Sequence, residues 1–198
     1  MEWLSKLISR ILSLFKSSAA EEIEKSDPPS VFVPVKITGQ EDAIQRLKTY
    51  SISRGISPKH YAIVDFNINS DKPRLFLFDS SFGLVKAYLV SHGRGRQLKQ
   101  NDQLVAKHFS NTPGSLLSSL GVYRCAEVYF GKHGRSLRID GLEESNSNAR
   151  SRAVVIHAAD YVTKDRAGRS EGCFAVSDDS IDEIIDALKD GGLLLAYK

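Results

Sequence analysis

A mostly β, α+β domain with helices at its flanks is the fold class this chain predicts, on three observations. Between about residues 60 and 157 the apolar residues come in short alternating runs separated by Gly, Pro, Asn and Ser. Helical periodicity is confined to the two ends, at residues 2–17, 41–54 and 178–189. Hydrophobic content of 41% and charged content of 26% over 198 residues suit one packed core.

Residues 2–17 read as one amphipathic helix. Trp3, Leu4, Leu7, Ile8, Ile11, Leu12 and Phe15 recur at three- and four-residue spacing, with Lys6, Arg10 and Lys16 among the polar residues opposite. Three readings stay open: a helix lying in a membrane surface, an export signal cleaved near Ser18-Ala19-Ala20, or a packing helix. Arg10 interrupts the apolar core that a signal requires. Glu21, Glu22, Glu24 and Pro28-Pro29 mark a linker, which divides the chain into 1–30 (helix and linker) and 31–198 (the globular domain).

Within that domain, Ala43, Ile44, Leu47 and Tyr50 give a helix over 41–54 that ends near Gly55 and Pro58. Strands are expected at 61–67, 74–79, 84–90, 121–130, 136–140 and 153–157. An amphipathic helix follows at 178–189, is broken by Gly191-Gly192, and gives way to a closing strand at 193–197. No run of about 18 apolar residues spans a membrane. The net charge of +3 is too small to argue for nucleic acid.

Two cysteines, Cys125 and Cys173, are too few for a disulfide framework. Cys125 lies within an expected strand and reads as a packed thiol. Cys173 follows Ser170-Glu171-Gly172 at a turn that feeds an apolar run, sixteen residues beyond His157 at the end of the 153–157 strand. A cysteine nucleophile needs a base for its proton, and glycine beside it lets backbone N–H groups approach a carbonyl. His157 supplies the base, Ser170 and Gly172 shape the approach, and the N–H groups of Gly172 and Cys173 are candidate oxyanion donors. The bland alternative is a buried thiol beside a satisfied histidine. Arg138, Arg150, Arg152 and Arg169 flank the pair in sequence and suit substrate carboxylates, Arg169 best of the four. A metal site from His92, His108 and His133 lacks helix-type spacing and an accompanying carboxylate. Gly93-Arg94-Gly95-Arg96 lacks the lysine and hydroxyl of a phosphate loop.

From about residue 60 to the C-terminus these segments resemble the YkuD-like L,D-transpeptidases of bacterial cell walls, in the branch described as murein L,D-transpeptidase catalytic domain-like. The resemblance runs through Leu89-Val90-Ser91-His92-Gly93-Arg94-Gly95 and Phe109-Ser110-Asn111-Thr112-Pro113-Gly114-Ser115. It continues through Ser118-Ser119-Leu120-Gly121-Val122-Tyr123, Gly131-Lys132-His133-Gly134 and Leu137-Arg138. It ends with Arg152-Ala153-Val154-Val155-Ile156-His157 and Gly168-Arg169-Ser170-Glu171-Gly172-Cys173.

It implies a β-sandwich or barrel catalytic domain with Cys173 as nucleophile and His157 as base at the floor of a groove. Ser170 and Gly172 would shape the oxyanion region. Ser110, Asn111 and Ser119, on a loop bordering the groove, would meet substrate together with His92, Arg138 and Arg169. The implied reaction cleaves the bond between meso-diaminopimelate and D-Ala in a peptidoglycan tetrapeptide through a thioester. An acceptor amine then forms a cross-link between stems, or water completes a carboxypeptidase reaction. No cofactor and no metal are implied, and the expected partners are peptidoglycan stem peptides, with membrane-surface contact through residues 2–17. The expected place is the cell envelope or periplasm. Two departures stand out: Glu171 where many relatives carry histidine, and Phe174 where proline is common in the branch. They keep a second reading in view, a catalytically weak peptidoglycan-binding module of the same fold.

Overall fold

The computed structural model describes residues 39–97 and 100–198. The expected helix at 2–17, the linker and the boundary at 30/31 lie outside the described residues.

The first described element, α1 (Gln40–Arg54), buries Ala43, Leu47 and Ser51 on one stripe. Gly55, at φ 62, ends it: its N–H donates to Ile52 O, and that of Ile56 donates to Ser51 O. This left-handed closure satisfies carbonyls that the last helical turn leaves open.

Eight strands then build one sheet. In chain order they are β1 (His60–Asp65), β2 (Leu75–Asp79), β3 (Leu84–Tyr88), β5 (Gly121–Gly131), β6 (Gly134–Gly141), β7 (Val155–Ala158), β9 (Phe174–Val176) and β10 (Leu193–Tyr197). Their order across the sheet is β3-β2-β1-β10-β5-β6-β7-β9. The pairs β1–β10 and β7–β9 are parallel and the remaining neighbours antiparallel. Two short strands, β4 (His92–Gly93) and β8 (Arg169–Ser170), pair in parallel beside it.

The sheet curls until its two edges nearly meet. Ser91, three residues past β3, donates its N–H to Ala175 O of β9 at 2.8 Å, and its hydroxyl accepts the Ala175 N–H. Near-closure of this kind leaves little unpaired edge. One core accordingly gathers Tyr88 of β3 and Phe174 of β9, from opposite ends of the strand order, with Ala62, Leu77, Tyr123 and Ile156 between them.

Helix α2 (Asp178–Leu188) supplies the rest of that core. Its buried residues are Ile181, Ile184, Ile185 and Leu188, at i, i+3, i+4 and i+7 on one face. Burial of each such side chain is worth about 1.5–3 kcal/mol. On the other face of the sheet, α1 packs Ala43 and Leu47 onto Ile63, Phe76, Val122 and Leu195. Most expected strands agree to within one or two residues at each end. The two-residue strands β4 and β8 were not anticipated, because two residues carry no periodicity. No helix among the described residues is long and apolar enough to cross a membrane.

Candidate active site

Period-two alternation decides which side chains of β7 and β9 reach the surface. Ile156, Phe174 and Val176 point into the core. His157 stands opposite Ala175 in the parallel register, and Cys173 lies two residues before Ala175, so base and thiol share the opposite face. Both line a groove of about 670 Å³, whose walls include Leu116, Lys132, Arg152 and Glu171.

The cysteine loop is held by its own short side chains. Ser170 Oγ donates to Cys173 O at 2.7 Å and accepts the Gly172 N–H at 3.1 Å. That second bond is a correction: the Gly172 N–H is committed to Ser170, not aimed at an oxyanion. The Cys173 N–H has no partner among the described residues, which leaves it as the donor beside the thiol. Gly172 has φ 117, and a Cβ there would stand 2.9 Å from Leu117 O. Two non-glycine residues of the groove also have positive φ, Leu116 at 56° and Ala153 at 54°. Such conformations cost of order 1–3 kcal/mol each and gather at functional sites. The Ala153 carbonyl accepts the Cys173 thiol at 3.6 Å.

Arg152 ties the opposite wall together. Its guanidinium donates to Ser110 O at 2.7 Å, Leu117 O at 2.6 Å and Ser115 Oγ at 3.2 Å. The Nδ1 of His157 lies 2.7 Å from Ala158 O. A carbonyl only accepts, so Nδ1 carries the hydrogen and Nε2 is free to take a proton.

Burial sets the resting charges. It pushes the Cys173 thiol up, against the opposing pull of the Val155 N–H, Lys132 and Arg152; Glu171 adds to the rise. It pushes His157 down, partly offset by the Ala158 bond, and the charges of His133 and Lys132 lower it further. Thiol and imidazole therefore rest neutral near pH 7, and a proton must pass between them as the sulfur attacks.

The remaining expected residues divide. Arg169 lines the groove and donates to Asn101 O at 2.7 Å. His92, expected on the substrate side, is fully buried: Nδ1 meets Arg74 at 2.8 Å and Nε2 meets Asp102 O at 3.0 Å. Ser119 is also fully buried, against the Tyr123 hydroxyl at 2.7 Å. Ser110 and Asn111 hold the loop, Ser110 by accepting Thr112 N–H and Asn111 by bonding Glu144, Ser147 and Asn148. The loop does border the groove, through Pro113, Gly114 and Leu116. Arg138 lies off the groove lining, paired with Glu127 at 3.1 Å and stacked over Tyr129. Sequence reasoning missed Tyr129, Lys132 and Tyr161 as groove residues. Tyr161 carried a signal, four residues past the base. Glu171 is exposed and pairs with Arg94 at 2.9 Å.

A family model described as the L,D-transpeptidase catalytic domain matches residues 35–197. The chain belongs to that family. Solved structures to which the chain is similar include an L,D-transpeptidase from Mycobacterium smegmatis, 11% identical with a TM-score of 0.45, over 71% of this chain and 59% of that one. A Bdellovibrio bacteriovorus protein is 15% identical with a TM-score of 0.44, over 71% of this chain and 48% of its own. An L,D-transpeptidase from Xylanimonas cellulosilytica is 13% identical with a TM-score of 0.40, over 76% and 69%. This L,D-transpeptidase-family chain thus spans about half to three-fifths of the length of the first two. Curated protein sequences yield no match.

Proposed function

We propose that this domain is a cysteine L,D-transpeptidase, or L,D-carboxypeptidase, acting on peptidoglycan tetrapeptide stems. The observation that carries the reading is the shared face: His157 on β7, and Cys173 in the glycine-dependent loop that enters the adjacent parallel strand β9, line one groove. Substrate entry draws the thiol proton from the Ala153 carbonyl toward His157 Nε2. The sulfur attacks the carbonyl at the L-centre of meso-diaminopimelate, and the Cys173 N–H stabilises the oxyanion. Collapse breaks the C–N bond to D-Ala, which leaves as an amine carrying the proton held by His157, and a thioester remains on Cys173. An acceptor amine then attacks the thioester and gives its proton back through His157, restoring the thiol; water in its place yields the free acid. Arg169 in the wall suits a substrate carboxylate.

A reaction on peptidoglycan supports a cell-envelope location, and the apolar stripe in the sequence of residues 2–17 supports contact with a membrane surface. A specific observation favours the second reading, a weakly active stem-binding module: the thiol is bonded to Ala153 O and raised by burial. Incubation with purified disaccharide-tetrapeptide, followed by mass spectrometry, decides between them. Release of D-Ala by the wild type and none by Cys173→Ala supports the enzyme. Binding without release and without a thioester adduct leaves the module.

A further inference from the structure

His133 lies at the turn of the β5–β6 hairpin and lines the same groove as His157. Its ring stacks on that of His157, with centroids 4.1 Å apart and planes inclined by 23°. The sheet fixes this approach. Gly131 pairs with Gly134 across Lys132-His133, with Gly134 at φ 71 closing the turn. Three residues past His133, Ser136 stands opposite His157 in the β6–β7 ladder. The turn and the base are therefore carried by adjoining strands.

The stack supplies what the hydrogen bond to Ala158 does not. That bond anchors Nδ1 at 2.7 Å, but one contact at one atom leaves the plane of the ring free to tilt. A second ring laid over its face fixes the plane, and with it the direction of Nε2. The stack also brings charge to bear on the base: a charge on His133 lowers His157, because two imidazolium rings at this separation repel each other. The charged or titratable groups that share the groove are Tyr129 and Lys132 on the hairpin, and Arg152 ahead of β7. Tyr161 follows β7, Arg94 follows β4, and Arg169, Glu171 and Cys173 belong to the cysteine loop.

We propose that His133 is a positioning residue for the base: its ring holds the His157 imidazole in plane for Cys173, and a proton on His133 keeps one off His157. The inference rests on His157 being the base, yet the coupling of the two rings is measurable without substrate. A charge on His133 disfavours a second one on His157, which leaves the imidazole neutral to accept the thiol proton.

The test is a titration of the full chain labelled with 15N-histidine, followed by NMR, with the His157 signal assigned through His157→Gln. Position 133 is exposed at a turn, so its replacement leaves the core intact. His133→Phe keeps a ring over the base and removes the charge; His133→Ala removes both. His157 is expected to titrate at lower pH in the wild type than in either variant. The Phe variant is expected to keep the rate of thioester formation on Cys173 at the pH plateau. The Ala variant is expected to lose roughly tenfold in kcat with little change in KM, as loss of orientation predicts. A His157 titration identical in all three proteins overturns the proposal, as does a Phe variant no faster than the Ala variant. A His157 titration that rises in both variants, without any thioester in the wild type, counts instead against Cys173 as nucleophile and leaves the ring pair standing.

Discussion

At position 172 the backbone itself selects the residue. With φ 117 and Leu117 O 2.9 Å from where a Cβ would be, only glycine fits without moving the loop that presents the thiol. Gly172→Ala is expected to cost of order 1–3 kcal/mol in stability. It should also reduce D-Ala release at least tenfold; thermal denaturation and a product assay check both. Arg152 does two jobs from one place, holding the 110–117 segment by three bonds and lowering the thiol by its charge. Arg152→Gln should therefore raise the pH at which Cys173 is alkylated by iodoacetamide. An alkylation profile unmoved by the substitution would mean that the charge is fully screened at the sulfur. Glu171 acts in the opposite sense, pushing the thiol up, and its ion pair with the exposed Arg94 blunts that effect.

Among the elements, α2 shows most directly how packing supports chemistry. Ile184 is fully buried on the helix that follows β9, the strand leading away from Cys173. Ile184→Ala is expected to cost about 2–5 kcal/mol through lost burial and the cavity left behind. Chemical denaturation measures it, and a loss under 1 kcal/mol would show that the core closes over the gap. The strands were legible because their alternation survives folding: Ala62 and Val64 join one core, and Tyr61 and Ile63 the other. The pairing of β4 with β8 was not legible, since it depends on two segments distant in sequence meeting side by side.

Across the whole molecule, a buried polar network ties the curled sheet together and makes it acid-sensitive. Arg74 is fully buried and donates to Val90 O, to Ile68 O and to Nδ1 of His92. Arginine has no acceptor, so Nδ1 of His92 must be unprotonated and Nε2–H donates to Asp102 O. Burial first, and the Arg74 charge second, hold His92 at about 4, below its usual 6.5. The unfolded chain takes up the proton at the higher value, so this contribution to stability is complete above pH 6.5 and is lost as pH falls through about 4. The loss amounts to about 3 kcal/mol. Urea midpoints at pH 7, 5.5 and 4 should fall accordingly, and His92→Gln should flatten that slope while being less stable at pH 7. An equal slope in both proteins would place the acid sensitivity elsewhere.

Local pattern is enough to read a β-rich domain with flanking helices and to single out Cys173 and His157. Those are local facts: alternation, helical spacing, and a glycine beside a cysteine. Which polar residues face the groove depends on how the sheet assembles. His92 and Ser119 lie in segments that resemble site motifs, yet the curled sheet turns both inward, where Arg74 and Tyr123 satisfy them. His133 entered the sequence reading as a candidate metal ligand with His92 and His108, and only the β5–β6 hairpin lays it on His157. Burial and stacking depend on what arrives from elsewhere in the chain, and no local pattern records that.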